Sequence, residues 1–303
     1  MNAQGATRTG PGPDEWAADE ITRVGVVGCG TMGAGFAETC ALAGLDVLVA
    51  VPGEDSAARG RARLVRSLDH GVRKGRVAES EREEVLSRVA FTIDLAGLGD
   101  RQLVLEAVPE REEAKREVFG VLGKVVGDPS AILASTTSSI PIVNLARGTD
   151  RASQVVGVHF FNPVTVLPLV ELTGSLLTAG SVLDRAEVFV SGVLGKRVIR
   201  SADRAGFVVN ALLVPYLLAA VRMVESGFAD AEDIDAGMTL GCAHPMGPLA
   251  LADHVGLDTL AAVGQAMYEE FHEPLYAPPP LLSRMVAGGL LGRKTGQGFY
   301  RHG

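Results

Sequence analysis

A short β-branched run that breaks into glycines constrains this chain more than any other feature. Residues 24–33 read V-G-V-V-G-C-G-T-M-G, so Gly28, Gly30 and Gly33 fall in a G-x-G-x-x-G spacing. An apolar, alanine-rich stretch from Ala34 to Leu45 follows at once. A buried strand that enters such a turn and opens a helix is the setting in which this spacing binds a dinucleotide. The first glycine permits the tight turn, the second lets the backbone approach a pyrophosphate, and the third lets helix and strand pack closely. The first helical residues, Thr31 and Met32, present N–H groups and the positive end of the helix dipole to the phosphates. In a chain with 37 glycines the spacing gains its meaning from the strand and helix around it.

Alternating strand and helix patterns run from Val24 to about Ser201. Strands are predicted at Val24–Val27, Val47–Val51, Leu103–Glu106, Ala131–Ser135, Val155–His159, Leu169–Leu172 and Lys196–Ile199, with helices between most of them. This is an α/β pattern, a Rossmann-type, doubly wound, mainly parallel sheet with helices on both faces. After Gly206 the signal changes to long apolar-periodic segments at Asn210–Glu225, Glu232–Leu240, Gly247–Phe271 and Pro280–Ala287. The expected organisation is a disordered leader over residues 1–20, a dinucleotide-binding domain over 21–205 and an all-helical domain over 206–303. The leader is rich in Gly, Pro, Asp and Ala and lacks the basic and apolar regions of a signal peptide. The longest apolar run, Ala211 to Val221, is too short to span a bilayer and contains Pro215.

A net charge of −8 argues against nucleic acid as a partner. One segment departs from that balance. Arg59, Arg61, Arg63, Arg66, Arg73, Lys74 and Arg76 face a single acid, Asp69. It is either a docking site for a polyphosphate or a solvated helix face. The three cysteines, Cys29, Cys40 and Cys242, have no metal-ligand spacing and an odd count, which suits a reducing cytoplasm. Cys29, inside the glycine turn, reads as a small apolar filler.

Three places carry chemistry. The second strand of a dinucleotide fold normally ends in an acid that binds the adenosine ribose. Here it ends in Val51, with Glu54 beyond a Pro-Gly turn and no arginine in its place, so NAD and NADP both stay open. His159 closes a strand, and Glu171 lies twelve residues on, upon the next apolar run. A returning strand can bring imidazole and carboxylate within hydrogen-bond reach, fixing the ring tautomer and raising the basicity of the far nitrogen. That arrangement suits a general acid–base for alcohol–carbonyl interconversion. The cluster Ser135-Thr136-Thr137-Ser138-Ser139 follows an apolar strand at the edge where α/β sheets bind ligands. Its hydroxyls either donate to a substrate oxygen or cap the next helix.

In order and spacing the chain resembles the short 3-hydroxyacyl-CoA dehydrogenases, including bacterial 3-hydroxybutyryl-CoA dehydrogenases, from about Thr22 to Tyr300. The resemblance rests on the glycine turn, Glu106-Ala-Val-Pro-Glu110 with Lys115, Thr137-Ser138-Ser139 and His159-Phe-Phe-Asn162-Pro163. It continues through Gly206-Phe-Val-Val-Asn210, His244-Pro-Met-Gly-Pro248 and Gly292-Arg-Lys294-Thr-Gly-Gln-Gly-Phe-Tyr300. It implies a catalytic His159 paired with Glu171, with Ser138 and Asn210 bonding the reacting oxygen or holding the histidine. It places Glu110, Lys115, Asn162 and Lys294 beside the dinucleotide, and Ser67, Lys74 and Ser138 beside the acyl-CoA substrate. The implied reaction is hydride transfer between C3 of an (S)-3-hydroxyacyl thioester and nicotinamide C4, in a cytoplasmic homodimer formed through the helical domain.

Three residues depart from that pattern. Val51 replaces the ribose-binding acid, Thr136 replaces an asparagine before Thr-Ser-Ser, and Pro168 replaces a lysine before Leu-Val-Glu. Relatives acting on substrates without coenzyme A can carry proline at the third position. An acyl-carrier-protein thioester or a free hydroxy acid is therefore the alternative substrate, and a dinucleotide-binding protein without turnover is the alternative class.

Overall fold

The computed structural model describes residues 21–302. The leader expected over residues 1–20 lies outside them. The described chain forms two compact units, one of residues 21–137 and 141–203, the other of 138–140 and 204–302.

The first unit is built on one eight-stranded sheet. Its strands are β1 (Arg23–Val27), β2 (Asp46–Ala50), β3 (Val89–Thr92), β4 (Leu103–Glu106), β5 (Ile132–Ser135), β6 (Val155–Phe160), β7 (Leu169–Gly174) and β8 (Arg197–Ala202). Their spatial order is β3-β2-β1-β4-β5-β6-β7-β8. Every neighbouring pair is parallel except β6 and β7. Parallel strands covered on both faces must be apolar throughout, and β4, β5 and β6 are buried along their whole length. The connecting helices are α1 (Thr31–Leu42), α2 (Glu54–Arg73), α3 (Glu79–Ser87), α4 (Glu112–Val125), α5 (Ile142–Ala146) and α6 (Gly180–Val188).

The basic segment forms α2 and the turn after it. Its buried residues, Gly60, Leu64, Leu68 and Gly71, recur at helical spacing, so one face packs inward while most of the arginines line the other. The packed face is tight: a Cβ at Gly60 would meet Cys29 Sγ at 2.8 Å and the Phe91 ring at 2.9 Å.

Three sequence expectations need correction. Strand β3 had no strand signal assigned, because it is a four-residue edge strand with only Val89 fully buried. The Gly247–Phe271 segment is two helices, α9 (Pro248–Val255) and α10 (Leu257–Phe271), separated at Gly256 with φ +103°. A backbone in that region breaks a helix that apolar periodicity alone would carry through. The Glu232–Leu240 segment is α8 (Ala231–Ala236) followed by a π-turn over Gly237–Gly241.

The second unit also contains α7 (Val209–Glu225) and α11 (Pro280–Ala287). Its core includes Leu217, Leu218, Val221, Leu249, Leu257, Leu260, Met267 and Leu282. Two buried carboxylates stitch it together. Asp235 accepts from the N–H groups of Leu249 and Ala250 at 2.8 and 2.9 Å, capping the start of α9. Asp253 is fully buried and accepts from the N–H groups of Phe299 and Tyr300, both at 2.9 Å, so the C-terminal segment folds back onto α9. Among the described residues, no helix is long and apolar enough to cross a membrane.

Candidate active site

The carboxyl ends of β1, β4, β5 and β6 share one edge of the sheet, and strand order reverses between β1 and β4. Ligands of doubly wound sheets bind at that reversal. The glycine turn stands there. Gly28 has φ +92°, and a Cβ on it would lie 2.8 Å from the carbonyl oxygen of Ala107. A Cβ on Gly33 would lie 2.1 Å from the carbonyl of Gly28, so only glycine lets α1 sit this close to the strand. Gly30 has nothing within 4 Å of its Cβ position, which leaves its side open to a ligand. As N-cap of α1 it supplies no side-chain cap, so the first N–H groups of the helix, at Thr31 and Met32, suit a pyrophosphate. These features fit a dinucleotide. The Cys29 thiol is pushed up to about 11 by burial and is unreactive. Its carbonyl oxygen accepts from Arg63 Nη1 at 2.5 Å, tying α2 to the turn.

At the end of β2, Val51 is buried and its N–H donates to Thr92 at 3.0 Å. Glu54 lies beyond it in the first turn of α2 and is exposed. Lys74, the C-cap of α2, is also exposed. Ser67 is half-buried, with its hydroxyl on Glu38 of α1. Burial raises the Glu38 carboxyl, while the Ser67 bond and the charge of Arg76 pull it back down.

The β4 and β5 ends carry a network that the motifs alone do not reveal. Glu106 is 0% exposed and Lys115 is 1% exposed. The Lys115 ammonium lies 2.9 and 3.0 Å from the two carboxylate oxygens of Glu106, 3.3 Å from the Val108 carbonyl and 3.2 Å from Glu110 Oε2. Ser135 donates to Glu106 at 2.6 Å, and Thr137 donates to Glu110 at 2.6 Å. The Val108 N–H donates to Glu106 at 2.7 Å. The expected positions Glu110 and Lys115 are thus brought together through Glu106, and the Ser135 and Thr137 hydroxyls bond these carboxylates. In the sequence Glu106 ends an apolar strand and opens the Glu106-Ala-Val-Pro-Glu110 motif.

His159 and Glu171 face each other across the one antiparallel seam of the sheet, as register partners on β6 and β7. Opposite residues of antiparallel strands point their side chains to the same face. His159 Nδ1 lies 2.8 Å from Glu171 Oε2, with the residues 7% and 0% exposed. An ionised carboxylate only accepts, so Nδ1 carries the hydrogen and Nε2 becomes the basic nitrogen. The Phe161 ring packs edge-on to the imidazole with centroids 4.8 Å apart. Asn162 is exposed in the turn that follows. That turn is clamped by Lys196, a buried lysine whose ammonium donates to the carbonyls of Val164 (2.7 Å) and Leu167 (2.9 Å). Desolvation lowers the Lys196 pKa.

Ser138, Asn210 and Lys294 belong to the second unit. Ser138 is half-buried, Asn210 is the second residue of α7, and exposed Lys294 bonds Asp258 at 2.7 Å and Thr259 at 2.9 Å.

A dinucleotide cradle and a carboxylate-bonded histidine on strands of one sheet fit a dinucleotide-linked oxidoreductase. Comparison with known proteins makes the class specific. Residues 23–204 match the model of the 3-hydroxyacyl-CoA dehydrogenase NAD binding domain, and residues 206–302 match that of its C-terminal domain. A 3-hydroxybutyryl-CoA dehydrogenase of Mycobacterium tuberculosis is 56% identical over 285 residues, covering 94% of this chain and 100% of the relative. The solved structure of M. tuberculosis FadB2 superposes with a TM-score of 0.93 at 56% identity, over 94% of this chain and 100% of that one. The (S)-3-hydroxybutyryl-CoA dehydrogenase PaaH1 of Ralstonia eutropha superposes with a TM-score of 0.87 at 41% identity, over the same shares. The chain belongs to the 3-hydroxyacyl-CoA dehydrogenase family, with NAD as its cofactor.

Proposed function

We propose that this chain interconverts (S)-3-hydroxyacyl-CoA and 3-oxoacyl-CoA, acting on a short acyl group such as the four-carbon one named in its relatives. The observation that carries the reading is the 2.8 Å bond between His159 and Glu171, at the ligand edge of a sheet with a dinucleotide cradle. When bound, NAD would supply the acceptor for the C3 hydride in oxidation and, as NADH, its donor in reduction. His159 Nε2 takes the C3 hydroxyl proton in oxidation and gives it back in reduction. Glu171 holds the ring and stabilises its cationic form. Ser138 and Asn210 bond the reacting oxygen.

The glycine turn, with Thr31 and Met32, holds the pyrophosphate, and Glu110, Asn162 and Lys294 hold the rest of the dinucleotide. Lys115 acts as a positioning residue, since its ammonium orients Glu110 from within the protein. Ser67 and Lys74 hold the coenzyme A, and the positive face of α2 draws in its phosphates.

The second unit forms a homodimer contact. Its exposed Leu212, Phe228 and Leu240 support that assignment, which light scattering would test by a mass twice that of the chain. Three free cysteines, two of them buried, support a reducing cytoplasmic setting.

The test is steady-state reduction of acetoacetyl-CoA, followed by loss of nicotinamide absorbance with NADH and NADPH in parallel. Robust turnover with NADH supports the reading. Turnover only with a carrier-protein thioester or a free acid would overturn the coenzyme A assignment, and a preference for NADPH would overturn NAD.

A further inference from the structure

The hydroxyl-rich turn leaving β5 holds one group that neither the His159–Glu171 pair nor the Glu106 network uses. Three hydroxyls follow one another there. Ser135 donates to Glu106 and Thr137 donates to Glu110. Thr136 lies between them, its backbone fixed by an N–H bond to the Glu106 carbonyl at 3.1 Å. Its Oγ1 is buried and, among the described residues, has no hydrogen-bond partner. A buried hydroxyl left in that state destabilises the protein that carries it, whereas a valine of the same shape would not. A ligand that bonds the hydroxyl removes the cost.

The position says which ligand. Thr136 stands at the carboxyl end of β5, on the far side of the β1–β4 reversal from β2 and β3. A dinucleotide whose pyrophosphate lies on the β1–α1 turn spans that reversal, with its adenosine half toward β2 and its nicotinamide half toward β4 and β5. Ribose hydroxyls both donate and accept, which matches a rotatable threonine hydroxyl held by no other group. We propose that Thr136 Oγ1 bonds the nicotinamide-side ribose of NAD. Thr136 is then a binding residue for that half of the cofactor, and this inference rests on the NAD-linked reading above.

Thr136→Val and Thr136→Ser separate the possibilities. NADH binding is followed by nicotinamide fluorescence, ADP binding by calorimetry, and the ligand-free stability by thermal melting. Thr136→Val is expected to melt no lower than wild type without ligand and to bind NADH roughly three- to tenfold more weakly. It should bind ADP, which lacks the nicotinamide ribose, as wild type does. Thr136→Ser keeps the hydroxyl and should keep NADH affinity. The proposal is overturned if Thr136→Val binds NADH like wild type, or weakens NADH and ADP by the same factor. It is equally overturned if Thr136→Val melts lower without ligand, or if Thr136→Ser loses affinity as valine does. Wild-type protein that bound neither ligand would overturn the NAD-linked reading itself.

Discussion

Glu106, at the end of β4, and Glu171, on β7, are both fully buried carboxylates on one sheet, and each is held by a basic side chain at under 3 Å. They differ in what that partner can still do. The Lys115 ammonium meets both oxygens of Glu106, the Val108 carbonyl and Glu110, so its hydrogens are fully engaged and the cluster is locked. His159 meets Glu171 through Nδ1, and the ring has a second nitrogen, Nε2, that can take up or give a proton. A buried pair can serve proton transfer when its basic member has a second titratable face. When it does not, the pair fixes geometry. In this sheet the histidine pair sits on the antiparallel seam and the lysine pair at a parallel strand end.

Removing one partner from each pair should therefore give opposite signatures. His159→Gln should cut kcat for acetoacetyl-CoA reduction by roughly a hundredfold to ten-thousandfold, the usual span for a general acid–base, with NADH affinity nearly unchanged. Unchanged turnover would sink the assignment of the base. Lys115→Met leaves the Glu106 charge buried without its cation and should cost about 3–5 kcal/mol of stability, read from the urea midpoint. A midpoint equal to wild type would mean that the lysine is not holding the β4 end. Glu171→Gln keeps a carbonyl that can accept from Nδ1 but loses the charge. Its kcat should fall by about tenfold to a hundredfold, less than for His159→Gln. A loss as large as that of His159→Gln would place the carboxylate in the proton transfer itself. The Lys294–Asp258 pair, at 2.7 Å, is as short as either buried pair, but its side chains are 45% and 40% exposed. Lys294→Met should shift stability by less than about 1 kcal/mol, and a larger shift would break the contrast between buried and exposed pairs.

The parts of the molecule legible in the sequence are those whose cause is local. The glycine turn announces itself because Gly28 and Gly33 occupy positions that no side chain fits. His159 and Glu171 were legible as a pair because a strand, a turn and a returning strand lie within a dozen residues. The Lys115–Glu106 contact was hidden. Its residues are close in the chain, but Ser135 and Thr137, which complete the cluster, arrive on the neighbouring strand. Strand β3 was hidden because an edge strand need not be apolar, and the break at Gly256 because periodicity carries no information about φ. Ser67 was named as a substrate position through the family resemblance alone, and its bond to Glu38 came only with the packing of α2 on α1.

The central claim is that Glu171 holds His159 with Nδ1 protonated and Nε2 basic. Nitrogen NMR of protein labelled at its histidines, with His159→Gln used to assign the signal, reads that tautomer directly in the neutral ring. The account predicts a hydrogen-bearing Nδ1 and a lone-pair Nε2 for His159, with the preference weakened in Glu171→Gln. A lone pair on Nδ1 and a hydrogen on Nε2 would contradict it.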